Sequence, residues 1–250
     1  VVKGSYFLFT AFIALISFIG LLEFYRMVTP GKITVGTILP AAGALLPVLF
    51  YLRSAALTTF AVTLLFLAVS IYVLFSFREI KTAAAEAGLL FFGLLYIPYL
   101  LGYLVLLRNH PLGWQWIMAI MFIVMGGDSA AYFVGSRFGK RKLYPSVSPN
   151  KSIEGAVGGV AGSIVGIVMA KLLFFSEIGL ADALLAAILI GIVSQIGDLF
   201  ESLLKRSCGV KDSGSIIPGH GGILDRIDSI LFAAPVAYYY AVFVAGRYFN

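Results

Sequence analysis

Long apolar runs separated by short polar breaks dominate this chain. Eight runs approach the roughly 20 residues that a helix needs to cross a bilayer. They lie at approximately 5–25, 33–52, 55–77, 85–107, 113–135, 153–174, 182–200 and 228–247. The apolar residues are continuous instead of alternating, which predicts helices and argues against a β-barrel. Two longer polar stretches, 136–152 and 201–227, are predicted as loops. Pro40, Pro47 and Pro98 fall inside runs and are expected to kink their helices. Glu23 and Glu86 stand near run ends and are expected at the membrane interface. Character changes near residue 125, after which glycine, small residues and intramembrane charge become frequent. The predicted organisation is therefore a transmembrane scaffold over 1–110, with dimer contacts, and a catalytic transmembrane half over 111–250.

Composition narrows the class. Hydrophobic residues make up 60% and charged residues 12%, and the mean hydropathy is +1.00. An ordinary soluble domain is excluded. The reading is an all-α polytopic integral membrane bundle with about eight transmembrane helices. The first residue is Val1; with eight spans it lies outside, and one preceding segment would return the N-terminus to the cytosol.

Charge distribution says more than the net value of +6. Thirteen of the 18 Lys and Arg residues fall in four alternate connections. These are Arg26 and Lys32; Arg78 and Lys81; Arg137, Lys140, Arg141, Lys142 and Lys151; and Lys205, Arg206, Lys211 and Arg226. Positive loops stay inside, so both long polar stretches are expected to face the cytosol, where nucleotides are found. Basic loops also attract anionic lipid, which accounts for the surroundings of Arg141 but not for the mixed chemistry after residue 200.

The segment 202–228 holds that mixture: Lys205, Arg206, Lys211, Asp212, His220, Asp225, Arg226 and Asp228. Cations suit phosphate and carboxylates suit a hard metal ion. Asp198, Ser202 and Lys205 share a helix face, with Glu201 one turn from the first and the last. Asp225 and Asp228, three residues apart, can point at one place. If the last two spans lie side by side, Asp198, Asp225 and Asp228 converge, as ligands of Mg²⁺ commonly do. Asp128, within a span, is either paired with a cation across helices or part of the same site. Pro218-Gly-His-Gly-Gly222 can turn sharply and expose N–H groups to an anion; His220 is a phosphate donor, an acid or a structural hydrogen-bonding group there.

Other features have plainer readings. Gly158, Gly162 and Gly166 recur on one helix face and are read as close helix packing, since no Gly-Lys-Ser/Thr follows to make a phosphate loop. Asn150, Lys151 and Ser152 precede a helix, where they can bind an anion or simply cap it. Cys208 cannot form an internal disulfide and is read as a small residue. No His or Cys cluster suggests zinc.

At this level of detail the residues resemble a known family. Ser202-x2-Lys205-Arg206-x4-Lys211-Asp212-x5-Pro218-Gly-His-Gly-Gly222-x2-Asp225-Arg226-x-Asp228 resembles the signature of the phosphatidate cytidylyltransferases. Ser148-Pro-Asn-Lys-Ser-x-Glu154-Gly155 and Gly126-Gly-Asp128 are similar to further blocks of that family. The resemblance is strong from about residue 120; before that it rests on hydropathy. Family members usually carry one more N-terminal apolar segment, which implies nine helices in the full protein.

The resemblance implies that CTP and phosphatidate react, with Mg²⁺, to give CDP-diacylglycerol and pyrophosphate. It implies metal ligation by Asp198, Asp225 and Asp228, and catalysis by Asp198, Asp225, Lys205 and Arg206. Substrate contacts are expected from Asn150, Lys151, Ser202, Lys211, Gly219, His220, Gly221 and Arg226. The expected setting is a bacterial inner membrane, with the site facing the cytosol, membrane lipids and a homodimer as partners, and no nucleic acid. The competing class is a transporter or channel for an anionic solute, which would also place charge in its spans.

Overall fold

The structure, a computed structural model, describes residues 5–31, 33–216, 219 and 221–244, the side chains of 33–36 excepted. Among the described residues, six helices are long and apolar enough to cross a membrane. The protein is an all-α integral membrane protein; its β-structure among the described residues is one short two-stranded hairpin. It divides into two compact units. The first runs up to Leu106 and includes Asp212–Asp225; the second comprises Leu107–Lys211 and the chain from Arg226 onward.

The first unit contains α1 (Tyr6–Val28), α2 (Ile33–Gly43), α3 (Leu46–Tyr51), α4 (Ala55–Ser76) and α5 (Ile80–Leu94). A π-helical turn (Leu95–Tyr99) then leads into α6 (Leu100–Arg108). The core gathers around α1, where Leu21, Phe24 and Tyr25 are fully buried. The Tyr25 hydroxyl donates to the Leu90 carbonyl at 2.6 Å, so the polar end of a buried ring has its partner. By contrast α4 buries only Val69 and Val73. Phe60, Phe66 and Leu74 stand on its open surface, as expected of a helix solvated by lipid tails.

Two expected spans take a different form here. The run 33–52 is not one helix: it breaks after Gly43 and restarts at Leu46. Pro47 sits in the first turn of α3, the one part of a helix where a missing N–H costs nothing. The run expected at 85–107 begins earlier, at Ile80, and continues to Arg108. Pro98 does not break it, because the π turn absorbs the lost hydrogen bond by admitting an extra residue.

The second unit holds α7 (Gly113–Phe138), the hairpin of β1 (Lys142–Tyr144) and β2 (Ser148–Ser152), α8 (Ile153–Leu173) and α9 (Leu180–Ser207). It also takes α10 (Leu224–Phe243) from Arg226 onward. The polar stretches are shorter than expected. Residues 136–138 belong to α7 and 201–207 to α9, where Glu201 and Lys205 form an i,i+4 pair that supports the added turn.

The glycine face of α8 packs on α7 as the spacing predicts. A Cβ on Gly158 would meet Val134 at 2.7 Å, and one on Gly162 or Gly166 would run into the Gly126 or Phe122 carbonyl. Ser163 locks the seam by donating to the Ile123 carbonyl at 3.0 Å. This close seam fixes where Asp128 stands relative to the hairpin that precedes α8.

Candidate active site

The hairpin is pinned at its base. The Glu154 carboxylate accepts the N–H groups of Lys140, at 3.0 Å, and Arg141, at 3.2 Å. Ser152 caps α8 by accepting the Gly155 N–H at 3.1 Å. The capping reading of Ser152 therefore holds. Between these fixed points β2 carries Lys151, whose ammonium lies 2.6 Å from Oδ2 of Asp198 on α9. Both side chains are about a third exposed, 29% and 32%, so the pair is reachable from outside.

Asp198 has further company in the second unit. Asp128 on α7 interacts electrostatically with both Asp198 and Lys151. Asp228 on α10 interacts with Asp198, Asp128 and Lys205. Lys205 in turn holds the buried Glu201 at 2.5 Å. The close approach of α9 and α10 depends on Gly197, where a Cβ would come within 2.8 Å of the Asp228 carbonyl. One turn on, Phe200 and Phe232 stack with centroids 5.7 Å apart.

These contacts bring together Asp128, Asp198, Glu201 and Asp228 with Lys151 and Lys205. Hard carboxylate oxygens such as those of Asp198 and Asp228 fit Mg²⁺. Among the described residues, however, no three His, Cys, Asp or Glu side chains are gathered to chelate one ion. The donor set fits an ion held by one or two carboxylates and completed by substrate oxygens and water.

Asp225 belongs to the first unit and is engaged differently. Its Oδ2 accepts the Ser213 N–H at 2.9 Å, the Ser213 hydroxyl at 2.8 Å and the Gly222 N–H at 2.7 Å. Within the second unit, Asp198 interacts electrostatically with Asp128 and Asp228, while Asp225 in the first unit spends Oδ2 on its own loop. Spacing along α10 could not reveal that Asp225 turns back to the loop before it.

The remaining site residues fall as follows. Ser202 is buried on α9, while Asn150, Lys211 and Arg226 are exposed. Arg206 donates to the Val210 carbonyl at 2.9 Å, tying off the end of α9. Gly219 and Gly221 adopt positive φ, +74° and +79°, as a sharply turning loop requires. His220 lies outside the described residues.

Glu23 has a role that its sequence position did not show. Expected at the membrane interface, it is buried, with 2% exposure. It accepts the N–H groups of Ile223, at 3.0 Å, and Leu224, at 2.8 Å. A lone acid near the end of an apolar run was the available signal, but its partners lie about 200 positions away.

Comparison with known proteins places this arrangement. Residues 1–244 match the model of the cytidylyltransferase family. A phosphatidate cytidylyltransferase of Synechocystis sp. is 36% identical over 267 residues, covering 94% of this chain and 88% of that protein. The phosphatidate cytidylyltransferase of Bacillus subtilis is 42% identical over 155 residues, 62% of this chain and 58% of the relative. That of Pseudomonas aeruginosa is 49% identical over 134 residues, 53% of this chain and 49% of the relative. The chain thus spans about half the length of the last two.

Proposed function

The chain belongs to the cytidylyltransferase family, and from that membership we propose that it transfers CMP from CTP to phosphatidate. A phosphate oxygen of phosphatidate forms a bond to the α-phosphorus of CTP. The bond from that phosphorus to the bridging oxygen breaks, and pyrophosphate leaves. The observation that carries this reading is the similarity to the Synechocystis phosphatidate cytidylyltransferase along nearly the whole chain.

The site's residues suit such a reaction. The attacking phosphate is already anionic, so no strong base is needed. Catalysis then consists of positioning and of neutralising charge on phosphate oxygens. Lys151 and Lys205 stand beside the carboxylate set and meet phosphate when it arrives. Arg206, Lys211 and Arg226 add exposed positive charge for the triphosphate. Asn150 and Ser202 flank the same region as hydrogen-bonding groups. In the first unit, Gly219 and Gly221 turn sharply enough to offer backbone N–H groups to an anion, while the Gly222 N–H is given to Asp225.

Asp198 and Asp228 would hold Mg²⁺, with Asp128 nearby as a charge-balancing carboxylate. When bound, the ion supplies positive charge to the triphosphate and the leaving pyrophosphate. Asp225, in this reading, shapes the loop. The protein sits in a bacterial inner membrane with this site on the cytosolic side, and phosphatidate reaches it sideways between helices.

The test is direct. Purified protein in detergent is incubated with phosphatidate, labelled CTP and Mg²⁺, with and without EDTA. CDP-diacylglycerol and pyrophosphate are expected to appear together, and EDTA is expected to stop both. Well-folded protein that makes neither product across several lipid mixtures would remove the proposal.

A further inference from the structure

Glu23 sits on α1, far in sequence from every residue of the site. Its carboxylate nevertheless closes a ring of contacts around the glycine-rich segment. Oε1 accepts the Ile223 N–H at 3.0 Å, and Oε2 accepts the Leu224 N–H at 2.8 Å. The Ser213 hydroxyl lies 3.3 Å from Oε2 and 2.8 Å from the Asp225 carboxylate. Ser213 and Gly222 then give their backbone N–H groups to Asp225. Both carboxylates therefore hold Ser213, and between them they take the N–H groups of Gly222, Ile223 and Leu224.

The backbone is packed directly onto Glu23. A Cβ at Gly214 would come within 2.6 Å of Oε1, and one at Gly222 within 2.5 Å of Oε2. A side chain at either position would force the carboxylate or the segment to shift. Nothing about α1 itself calls for an acid at this point. An apolar residue would serve the span without the cost of burying a carboxylate. The bonds it makes are charge-assisted and serve the loop and the first turn of α10.

We propose that Glu23 is a positioning residue for cytidylyl transfer, fixing the conformation of the chain at Ser213–Gly214 and at Gly222–Leu224 and, through Ser213, the orientation of Asp225. This rests on the function proposed above, in which that segment receives the triphosphate. Glu23 does not touch substrate; it acts through the loop.

Hydrogen exchange read by mass spectrometry, on the full chain in detergent, tests the anchoring without reference to activity. Glu23→Gln replaces one acceptor by a donor that faces N–H groups. Exchange across 212–224 is expected to rise about tenfold or more, as for lost charge-assisted bonds, while α7, α8 and α9 keep their protection. In the assay KM for CTP is expected to rise and KM for phosphatidate to stay put, with partial rescue by Glu23→Asp. Unchanged exchange over 212–224, or loss of protection spread evenly over the chain, would overturn the proposal. So would a fall in kcat with both KM values unchanged.

If Glu23→Gln does not fold, Ser213→Ala decides. It removes the hydroxyl that joins Glu23 to Asp225 and leaves the backbone N–H bonds of residues 213, 223 and 224. Local loosening with a raised KM for CTP supports the proposal, and wild-type values for both refute it. A wild-type protein that makes no CDP-diacylglycerol would defeat the functional reading alone, and the exchange result would still report on the anchor.

Discussion

Asp198 and Asp225 are both aspartates on helices that border the signature segment, yet their surroundings differ. Asp198 faces an ammonium group and other carboxylates; Asp225 faces three donors of its own loop. Asp198→Asn is expected to lose about 100-fold or more in kcat, the scale of removing a key electrostatic group, and Asp225→Asn to lose activity chiefly through a raised KM for CTP. Their exchange patterns should differ. Asp198→Asn leaves residues 212–224 protected, and Asp225→Asn exposes them, because an amide cannot accept at every donor. Identical exchange in the two variants would sink the distinction. The site is partly legible in the sequence. Helical spacing puts Asp198, Ser202 and Lys205 on one face, and the position of Lys151 just before a helix makes it a candidate anion group. The partnership of Lys151 with Asp198 is not legible, since 47 positions separate them and only tertiary packing joins them. Glu23 is hidden for the same reason.

At the scale of elements, the α7–α8 seam is the most tightly determined part of the second unit. Its glycines are readable from their four-residue period, because that period is a direct consequence of helix geometry. Gly162→Leu is expected to destabilise by about 1–3 kcal/mol or more, since the added side chain meets backbone that cannot move aside. Val165→Leu, at an exposed position on the same helix, serves as the control and should be neutral. Thermal unfolding in detergent compares the two, and equal midpoints would contradict the seam. The break between α2 and α3 is not readable, because hydropathy does not distinguish a continuous apolar helix from two short ones. Only the backbone chemistry of Pro47 separates them. The early start of α10 is masked by the polar residues Asp225, Arg226 and Asp228 in its first turns.

At the scale of the whole molecule, apolar content and charge bias are enough to assign the membrane class, because no other environment solvates such a surface. Sidedness is open to a chemical test. Cys208, the only cysteine, lies in the turn that follows α9 and is partly exposed. A membrane-impermeant maleimide should label it in inside-out vesicles and not in intact spheroplasts; the reverse pattern would place the site outside. The ring around Glu23 also carries a consequence for how the protein is made. Glu23 and Ser213 are 190 positions apart. A ribosome adding about 5–20 residues per second needs roughly 10–40 s to travel between them. Throughout that interval α1 is already synthesised and its acid has no loop to hold. The first unit closes only when a segment made after α9 returns to it. Synthesis of most of the second unit, not insertion of the early helices, therefore sets the moment at which this half of the protein becomes finished.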